Sequence, residues 1–212
     1  TAIGSFLGQF TGVTTQTLGA VAIKAALEQA GIAPEHVDET LIGCVLPAGL
    51  GQAPARQASL AAGIPISAGC TTLNKVCGSG MKTIMLGSDM IRAGSAKIVV
   101  AGGMESMTNA PHLLNGSRTG LRYGNAEMLD HMAWDGLTNA YDKKSMGIFA
   151  DATATKYAFT REDQDAYAAE SVRRALAAQE ANAFANEIAP VVVTGRKGDI
   201  TYTTDEQPGR SD

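Results

Sequence analysis

The sequence predicts an α/β fold with a mostly parallel sheet, and two observations support this prediction. Up to about Met107, short runs of β-branched and apolar residues alternate with stretches of helical periodicity. The order β-α-β-α-β favours parallel strands joined by right-handed crossovers. The composition also suits a folded α/β domain, because 45% of the 212 residues are hydrophobic, 18% are charged and 24 are glycine.

The first predicted elements are a helix and a strand. Thr14 or Thr15 caps the helix, because a hydroxyl at a helix start accepts a bond from a free backbone N–H group. Gly31 ends the helix, since glycine adopts the left-handed conformation of a helix end. Residues 40–46 are predicted to form a strand. The apolar face of the helix consists of Leu18, Val21, Ala22 and Ala25.

Four further elements complete the alternating pattern. A short helix is predicted at residues 55–62, a strand at 69–76, a helix from Gly78 to Ala93, and a strand at 97–101. Gly63 and Pro65 end the short helix. One stripe of the longer helix carries Met81, Ile84, Met85, Ser88 and Ile91, with small or polar residues between them.

Cys77 lies where the predicted strand at 69–76 meets the following helix. Unpaired backbone N–H groups and the positive end of the helix dipole favour negative charge at such a position. Gly78 and Gly80 allow another backbone or a substrate to approach closely. This arrangement is typical of a nucleophile elbow with sulfur in place of the usual serine.

The alternative interpretation of a cysteine is a small buried hydrophobic residue. This interpretation is favoured for Cys44, in an apolar run, and for Cys70, inside a predicted strand, while position alone leaves both interpretations of Cys77 open. Three cysteines without ligand-like spacing to histidine argue against a disulfide framework and against a zinc site.

The sequence changes character after Met107. Residues 109–144 are predicted to be irregular, and a helix at 145–157 follows. A capping box at Thr160–Asp163 begins a second helix that extends to about Asn182. Residues 191–193 and 199–203 are predicted to form a hairpin. An insertion of this length in a compact domain is usually functional.

The net charge of −4 does not suggest a nucleic-acid-binding surface. The sequence contains no apolar run long enough to cross a membrane and no signal peptide, so a cytoplasmic location is expected. Glu105 follows the predicted strand at 97–101. It can be interpreted as a catalytic acid or as a carboxylate that fixes loops by accepting backbone N–H bonds, and the second interpretation is favoured.

The segment from Asn74 to Met81 resembles the acyl-accepting cysteine segment of the thiolases, the family of acetyl-CoA acetyltransferases and 3-ketoacyl-CoA thiolases. Four other segments match the family pattern in the same order, so the resemblance covers essentially the whole chain. These are Thr1-Ala2-Ile3-Gly4-Ser5-Phe6, the run from Gly51 to Ala58, the run from Ala101 to Met107, and Ser145-Met146-Gly147.

The resemblance implies a domain organisation and a set of site residues. Residues 1–107 are expected to form the βαβαβ layered core, and residues 108–212 an inserted α+β loop domain with a tetramerisation arm and the coenzyme A-binding region. Cys77 would carry the acyl group, and Ser145 and Met146 would line the pantetheine and acyl end of the site. Arg210, one place beyond the family's D-E-x-P-R arginine, would contact the adenine, with Arg196 and Lys197 as further candidates for the phosphates.

The implied activity is that of an acyl-CoA C-acyltransferase, foremost an acetyl-CoA acetyltransferase that forms or cleaves acetoacetyl-CoA through an acyl-cysteine. It would need coenzyme A thioesters as substrates, no metal and no redox cofactor, and it would act as a homotetramer. The alternatives are a longer-chain 3-ketoacyl-CoA thiolase of fatty-acid β-oxidation and a non-catalytic thiolase-like lipid or acyl-CoA binding protein. A 3-oxoacyl carrier-protein synthase is disfavoured, because those enzymes lack the turn at 103–106 and the long insertion.

Several segments of the family pattern do not occur in this sequence. They are G-H-P-x-G with the catalytic histidine, the N-E-A-type asparagine, C-x-G-G-G with the second cysteine, and the first and last strands of the core. An isolated chain is therefore expected to be inactive and not to fold stably, with either a gap in its sheet or other chains supplying the missing strands. None of the three histidines matches the catalytic one, so His36, His112 and His131 are predicted at surfaces or interfaces.

Overall fold

A computed structural model describes residues 1–196 and 198–210. The chain forms two compact units. The core unit is Gly12–Gly136, and the loop unit combines Thr1–Thr11 with Leu137–Asp212. The change in sequence character after Met107 does not coincide with the limit of either unit. The division into a core domain at 1–107 and a loop domain at 108–212 stays a prediction.

The core unit is built on three parallel strands, which confirms the predicted α/β class. They are β1 (Glu39–Gly43), β2 (Gly69–Leu73) and β3 (Val99–Gly103), in the order β2-β1-β3. Every residue of β1 is in register with a residue of β2 and of β3. The expected gap between strands was therefore wrong, since any further strand would have to join at the outer edge of β2 or β3.

Three helices accompany this sheet: α1 (Thr15–Ala30), α2 (Pro54–Ala61) and α3 (Ser79–Ala93). The Thr14 hydroxyl accepts a bond from the N–H group of Thr17 at 3.2 Å, and Gly31 ends α1 with a φ of 65°. Both predicted caps are confirmed. The core between the helices and the sheet includes Ile23, Leu27, Val37, Ile42, Ile64 and Met104.

The strand ends differ from the prediction for identifiable reasons. The N–H groups of Lys97 and Ile98 donate to the Asp38 carboxylate at 2.7 and 3.0 Å instead of joining the ladder, so β3 begins at Val99. Strand β2 ends at Leu73 rather than at Val76, whose φ of 47° is incompatible with an extended strand.

Helix α3 faces the sheet with its small residues. Ser79, Thr83 and Gly87 are its buried positions. The Thr83 hydroxyl donates to the carbonyl of Gly102 at 2.9 Å. The predicted apolar stripe is not buried against the sheet, because its side chains are exposed at Met81 (72%), Ile84 (59%), Met85 (50%) and Ile91 (49%).

The stretch after Met107 contains more order than predicted. Strands β4 (His112–Leu114) and β5 (Met128–Asp130) pair in antiparallel fashion, and a π-helical turn follows at Met132–Leu137. Strands of three residues are too short to produce a recognisable alternation in sequence.

The loop unit confirms the helices and the hairpin predicted for it. Helix α4 spans Met146–Lys156, and α5 spans Arg161–Glu180 behind a capping box formed by Thr160 and Asp163. Strands β6 (Val191–Gly195) and β7 (Gly198–Tyr202) form an antiparallel pair. Within residues 1–196 and 198–210, no helix combines the length and the apolar character that crossing a bilayer requires.

The N-terminal segment belongs to the loop unit because Glu206 binds its backbone. The N–H groups of Ser5 and Gln9 donate to the Glu206 carboxylate at 3.0 and 2.8 Å, and the Glu206 N–H group donates to the carbonyl of Ile3 at 2.9 Å. These backbone bonds, that from Gln9 first and that from Ser5 second, hold the pKa of the Glu206 carboxyl below its ordinary value.

This attachment is expected to weaken in acid. Because the pKa of Glu206 is lowered in the folded state, its contribution is fully present above the unfolded pKa of about 4.3 and is lost as the pH falls through the folded pKa. Glu206→Gln keeps an acceptor but does not titrate. Urea midpoints followed by circular dichroism at pH 6 and pH 3 should therefore fall more in the parent protein than in Glu206→Gln. Equal decreases in the two proteins would contradict this assignment.

Candidate active site

The structure places Cys77 in the turn that leads from β2 into α3, where the sequence predicted it. Gly78 is the N-cap of α3, so the thiol residue directly precedes the free N–H groups of the helix start. The Cys77 side chain is exposed in the core unit. An exposed thiol in this position is accessible to an electrophile.

The turn before Cys77 has an unusual backbone. Val76 has a φ of 47°, a left-handed conformation that β-branched residues rarely adopt. The Asn74 side-chain oxygen accepts a bond from the Val76 N–H group at 2.9 Å. The Ser79 hydroxyl accepts from the Lys75 N–H group at 2.8 Å and donates to the Val76 carbonyl. Asn74, Val76 and Ser79 were not among the site residues predicted from the sequence.

Three glycines bring the start of α3 close to the ends of β1 and β3. A Cβ atom on Gly43 would lie 2.7 Å from the Gly80 nitrogen and 2.7 Å from the Ser79 carbonyl carbon. A Cβ atom on Gly103 would lie 3.4 Å from the Gly80 Cα. The sequence held a signal for Gly43, because an isolated glycine in a strand pattern often marks a close backbone approach.

Cys44 and Glu105 lie close together just after the ends of β1 and β3. Cys44 is 1% exposed, and its sulfur lies 3.6 Å from a Glu105 oxygen. Burial, together with the nearby Glu105 carboxylate, raises the pKa of the Cys44 thiol to about 12. The Glu105 carboxylate accepts bonds from the N–H groups of Val45 and Leu46 at 2.7 and 3.0 Å. Glu105 therefore fixes a loop by binding its backbone, as was favoured from the sequence.

Cys70 is a partly buried residue of β2. Its sulfur lies 3.7 Å from the carbonyl oxygen of Ala68. Its position within a paired strand agrees with the structural interpretation given to it, and contrasts with the exposed turn that holds Cys77.

The histidines divide into two groups. His36 and His112 are exposed, as predicted. The predicted surface or interface position was wrong for His131, which is only 5% exposed within this chain. Its Nδ1 atom bonds to the Asp135 carboxylate and its Nε2 atom accepts the Ala48 N–H group at 3.3 Å. The ring is buried because it bonds on one side to Asp135 of the π-helical turn and on the other to Ala48 in the loop after β1.

The remaining predicted site residues belong to the loop unit, whereas Cys77 belongs to the core unit. Ser145 is the N-cap residue of α4, and Met146, 46% exposed, is the first residue of that helix. Arg210 forms an ion pair with Glu206. Arg196 is exposed next to β6, and Lys197 lies outside the described residues. The roles of Ser145, Met146 and Arg210 stay predictions.

The family model for the thiolase N-terminal domain matches residues 1–211. The chain therefore belongs to the thiolase family.

Curated relatives carry more specific names. The chain is 50% identical over 209 residues to an acetyl-CoA acetyltransferase of Pseudomonas aeruginosa, covering 98% of this chain and 53% of the relative. It is 52% identical over 207 residues to that of Chromobacterium violaceum, covering 97% and 53%. It is 48% identical over 213 residues to a mitochondrial acetyl-CoA acetyltransferase of Bos taurus, covering 100% and 50%. The chain thus spans about half the length of these relatives.

Proposed function

We propose that this chain provides the nucleophile of an acetyl-CoA acetyltransferase. The observation that supports this most directly is the exposed Cys77 between β2 and the start of α3, in a chain of the thiolase family. The names of the relatives favour acetyl-CoA over a longer 3-ketoacyl-CoA as substrate. Participation in fatty-acid metabolism and a cytoplasmic location are further parts of the proposal.

The proposed reaction begins when the Cys77 thiolate attacks the carbonyl carbon of acetyl-CoA. The carbon–sulfur bond to coenzyme A breaks, the acetyl group is transferred to Cys77, and the coenzyme A thiolate leaves and takes up a proton. The backbone N–H group of Cys77 would stabilise the oxyanion, as groups at helix starts can. In the second step, the deprotonated α-carbon of another acetyl-CoA attacks the acetyl-cysteine. This forms acetoacetyl-CoA and releases the Cys77 thiolate.

Proton transfer in both steps needs side chains that the motifs of this chain do not contain. The family resemblance assigns these roles to a histidine and a second cysteine in segments absent from this sequence. We propose that these segments belong to the part of the relatives' length that this chain does not span, and that residues 1–212 alone do not turn over substrate.

Acetyl labelling tests the choice of nucleophile. The longest natural polypeptide that contains this sequence is incubated with acetyl-CoA, quenched in acid, digested and analysed by mass spectrometry. The acetyl group is expected on the peptide with Cys77, because Cys44 is buried with a pKa of about 12 and Cys70 lies in a paired strand. An acetyl group on Cys44 or Cys70 with Cys77 unlabelled would contradict the proposal.

We also propose that the working protein is a tetramer assembled through the β4-β5 hairpin. The loop between these strands exposes apolar side chains, among them Leu121 (54%) and Tyr123 (108%). Light scattering at micromolar protein concentration should give the mass of a tetramer, and Leu121→Asp should reduce that mass to a dimer. A parent protein that is already dimeric would refute the role of the hairpin.

A further inference from the structure

We infer that Asn74 and Ser79 are positioning residues that hold Val76 in its left-handed conformation and thereby fix the direction of Cys77. This inference rests on the proposed role of Cys77 as nucleophile. It assigns a task to two side chains that the reaction itself does not use, because neither is required to touch the substrate.

The conformation of Val76 needs an explanation. A branched Cβ at a φ of 47° is sterically unfavourable, and such a conformation persists only where the surrounding structure determines it. Val76 is itself 50% exposed, so burial of its side chain does not account for the strain. The explanation has to lie in bonds to its backbone.

Both backbone polar groups of Val76 are bound by side chains. The N–H group donates to the Asn74 oxygen at 2.9 Å, and the Asn74 amide nitrogen donates to the carbonyl of Val45 at 3.2 Å. Asn74 therefore ties the turn to the loop after β1. The Val76 carbonyl accepts one bond from the hydroxyl of Ser79, a residue that is 4% exposed, and a second from the Ser79 backbone N–H group at 3.0 Å.

The position of Ser79 makes this contact unusual. As the first residue of α3, it has a hydroxyl that would ordinarily be free to face solvent. Here the hydroxyl is buried and bonds to two residues earlier in the chain. It accepts the N–H group of Lys75 and donates to the carbonyl of Val76, so it holds the backbone on both sides of the Lys75–Val76 peptide bond. If these bonds were lost, Val76 would relax to a negative φ and the chain entering Cys77 would turn to another direction.

Two measurements test this inference in the longest natural polypeptide that contains the sequence. The first is the rate at which iodoacetamide alkylates Cys77, read from the Cys77 peptide by mass spectrometry, which does not depend on the proposed enzyme activity. The second is the rate of exchange between acetyl-CoA and free coenzyme A, separated into kcat and KM.

Asn74→Ala and Ser79→Ala are each expected to lower kcat by about 10-fold or more, as misplacement of reacting groups does, with little change in KM. The alkylation rate of Cys77 should change with them. Adding Val76→Gly to either variant should raise kcat again by about threefold or more. The reason is that glycine adopts positive φ about as readily as negative φ. Such rescue by a glycine is not expected if the two side chains only stabilise the fold.

Ser59→Ala provides a matched control. Ser59 is a fully buried serine of α2 whose hydroxyl lies 3.1 Å from that of Thr40, away from the cysteine turn. Ser59→Ala should lower Tm as much as Ser79→Ala does, while kcat and the alkylation rate of Cys77 stay unchanged. Should Ser79→Ala fail to fold, the exposed Asn74 still permits the test through Asn74→Ala with and without Val76→Gly.

The inference is overturned if Asn74→Ala and Ser79→Ala leave kcat and alkylation unchanged, or if Val76→Gly restores nothing. A failure of the proposed function has a different signature, since Cys77→Ala would then retain acyl exchange while the alkylation rates still respond to Asn74 and Ser79.

Discussion

Cys77→Ala is expected to abolish exchange between acetyl-CoA and free coenzyme A, with a loss of about 10⁴-fold or more. Removal of a nucleophile from a covalent mechanism typically has an effect of this size, because the remaining groups cannot form the intermediate. Exchange isolates the first step of the proposed reaction, since it needs only attack by the thiolate and departure of coenzyme A. It is measured with labelled coenzyme A and the longest natural polypeptide that contains this sequence.

Cys70→Ala is the matched control for this experiment. Cys70 lies in β2, just before the turn that holds Cys77, and its loss removes a thiol without changing that turn. Exchange should stay within about twofold of the parent rate, as expected for a change outside the reacting groups. Substantial exchange in Cys77→Ala, or its loss in Cys70→Ala, would show that the nucleophile has been misassigned.

Gly43→Ala is expected to have the largest effect on stability and to disturb the site as well. The added Cβ would lie 2.7 Å from backbone atoms of Ser79 and Gly80, which cannot move aside as a flexible side chain can. Overpacking typically costs about 1–3 kcal/mol, and a clash with backbone belongs at the upper end or above it. The free energy of unfolding from urea titration should therefore fall by about 3 kcal/mol, and the Cys77 alkylation rate should change with it.

Gly12→Ala is the control for the glycine substitution. A Cβ at Gly12 would meet nothing within 4 Å, so its effect should remain within about 0.5 kcal/mol, the range of unconstrained surface changes. If Gly43→Ala proved equally neutral, the close approach of β1 to the start of α3 would not be a constraint on this fold.

The parts of the fold that could be predicted from sequence are those with local causes. The cap at Thr14, the stop at Gly31 and the capping box at Thr160–Asp163 depend on residues within a few positions of one another. The position of Cys77 at a strand-to-helix turn was predicted for the same reason, because the change of period surrounds it directly.

The features that escaped prediction depend on residues distant in sequence. Asp38 ends the β3 ladder from 60 positions away, and the partner of His131, Ala48, lies 83 positions earlier. A histidine in a polar segment gives no sign of such a contact. The face of α3 that meets the sheet was equally hidden, because small residues rather than large apolar ones allow its close approach to Val99 and Gly103.

The Glu206 contacts with the N-terminal segment have a consequence for the order of folding. Ser5 and Glu206 are 201 positions apart, whereas the core unit is complete at Gly136. During synthesis, the core unit can acquire its sheet and the cysteine turn while the ribosome is still adding the loop unit. The bonds from Ser5 and Gln9 to Glu206 form only after that interval, because the carboxylate that accepts them is made after the core unit. The loop unit therefore closes late, and its closure has to overcome the entropy of joining segments this far apart in the chain.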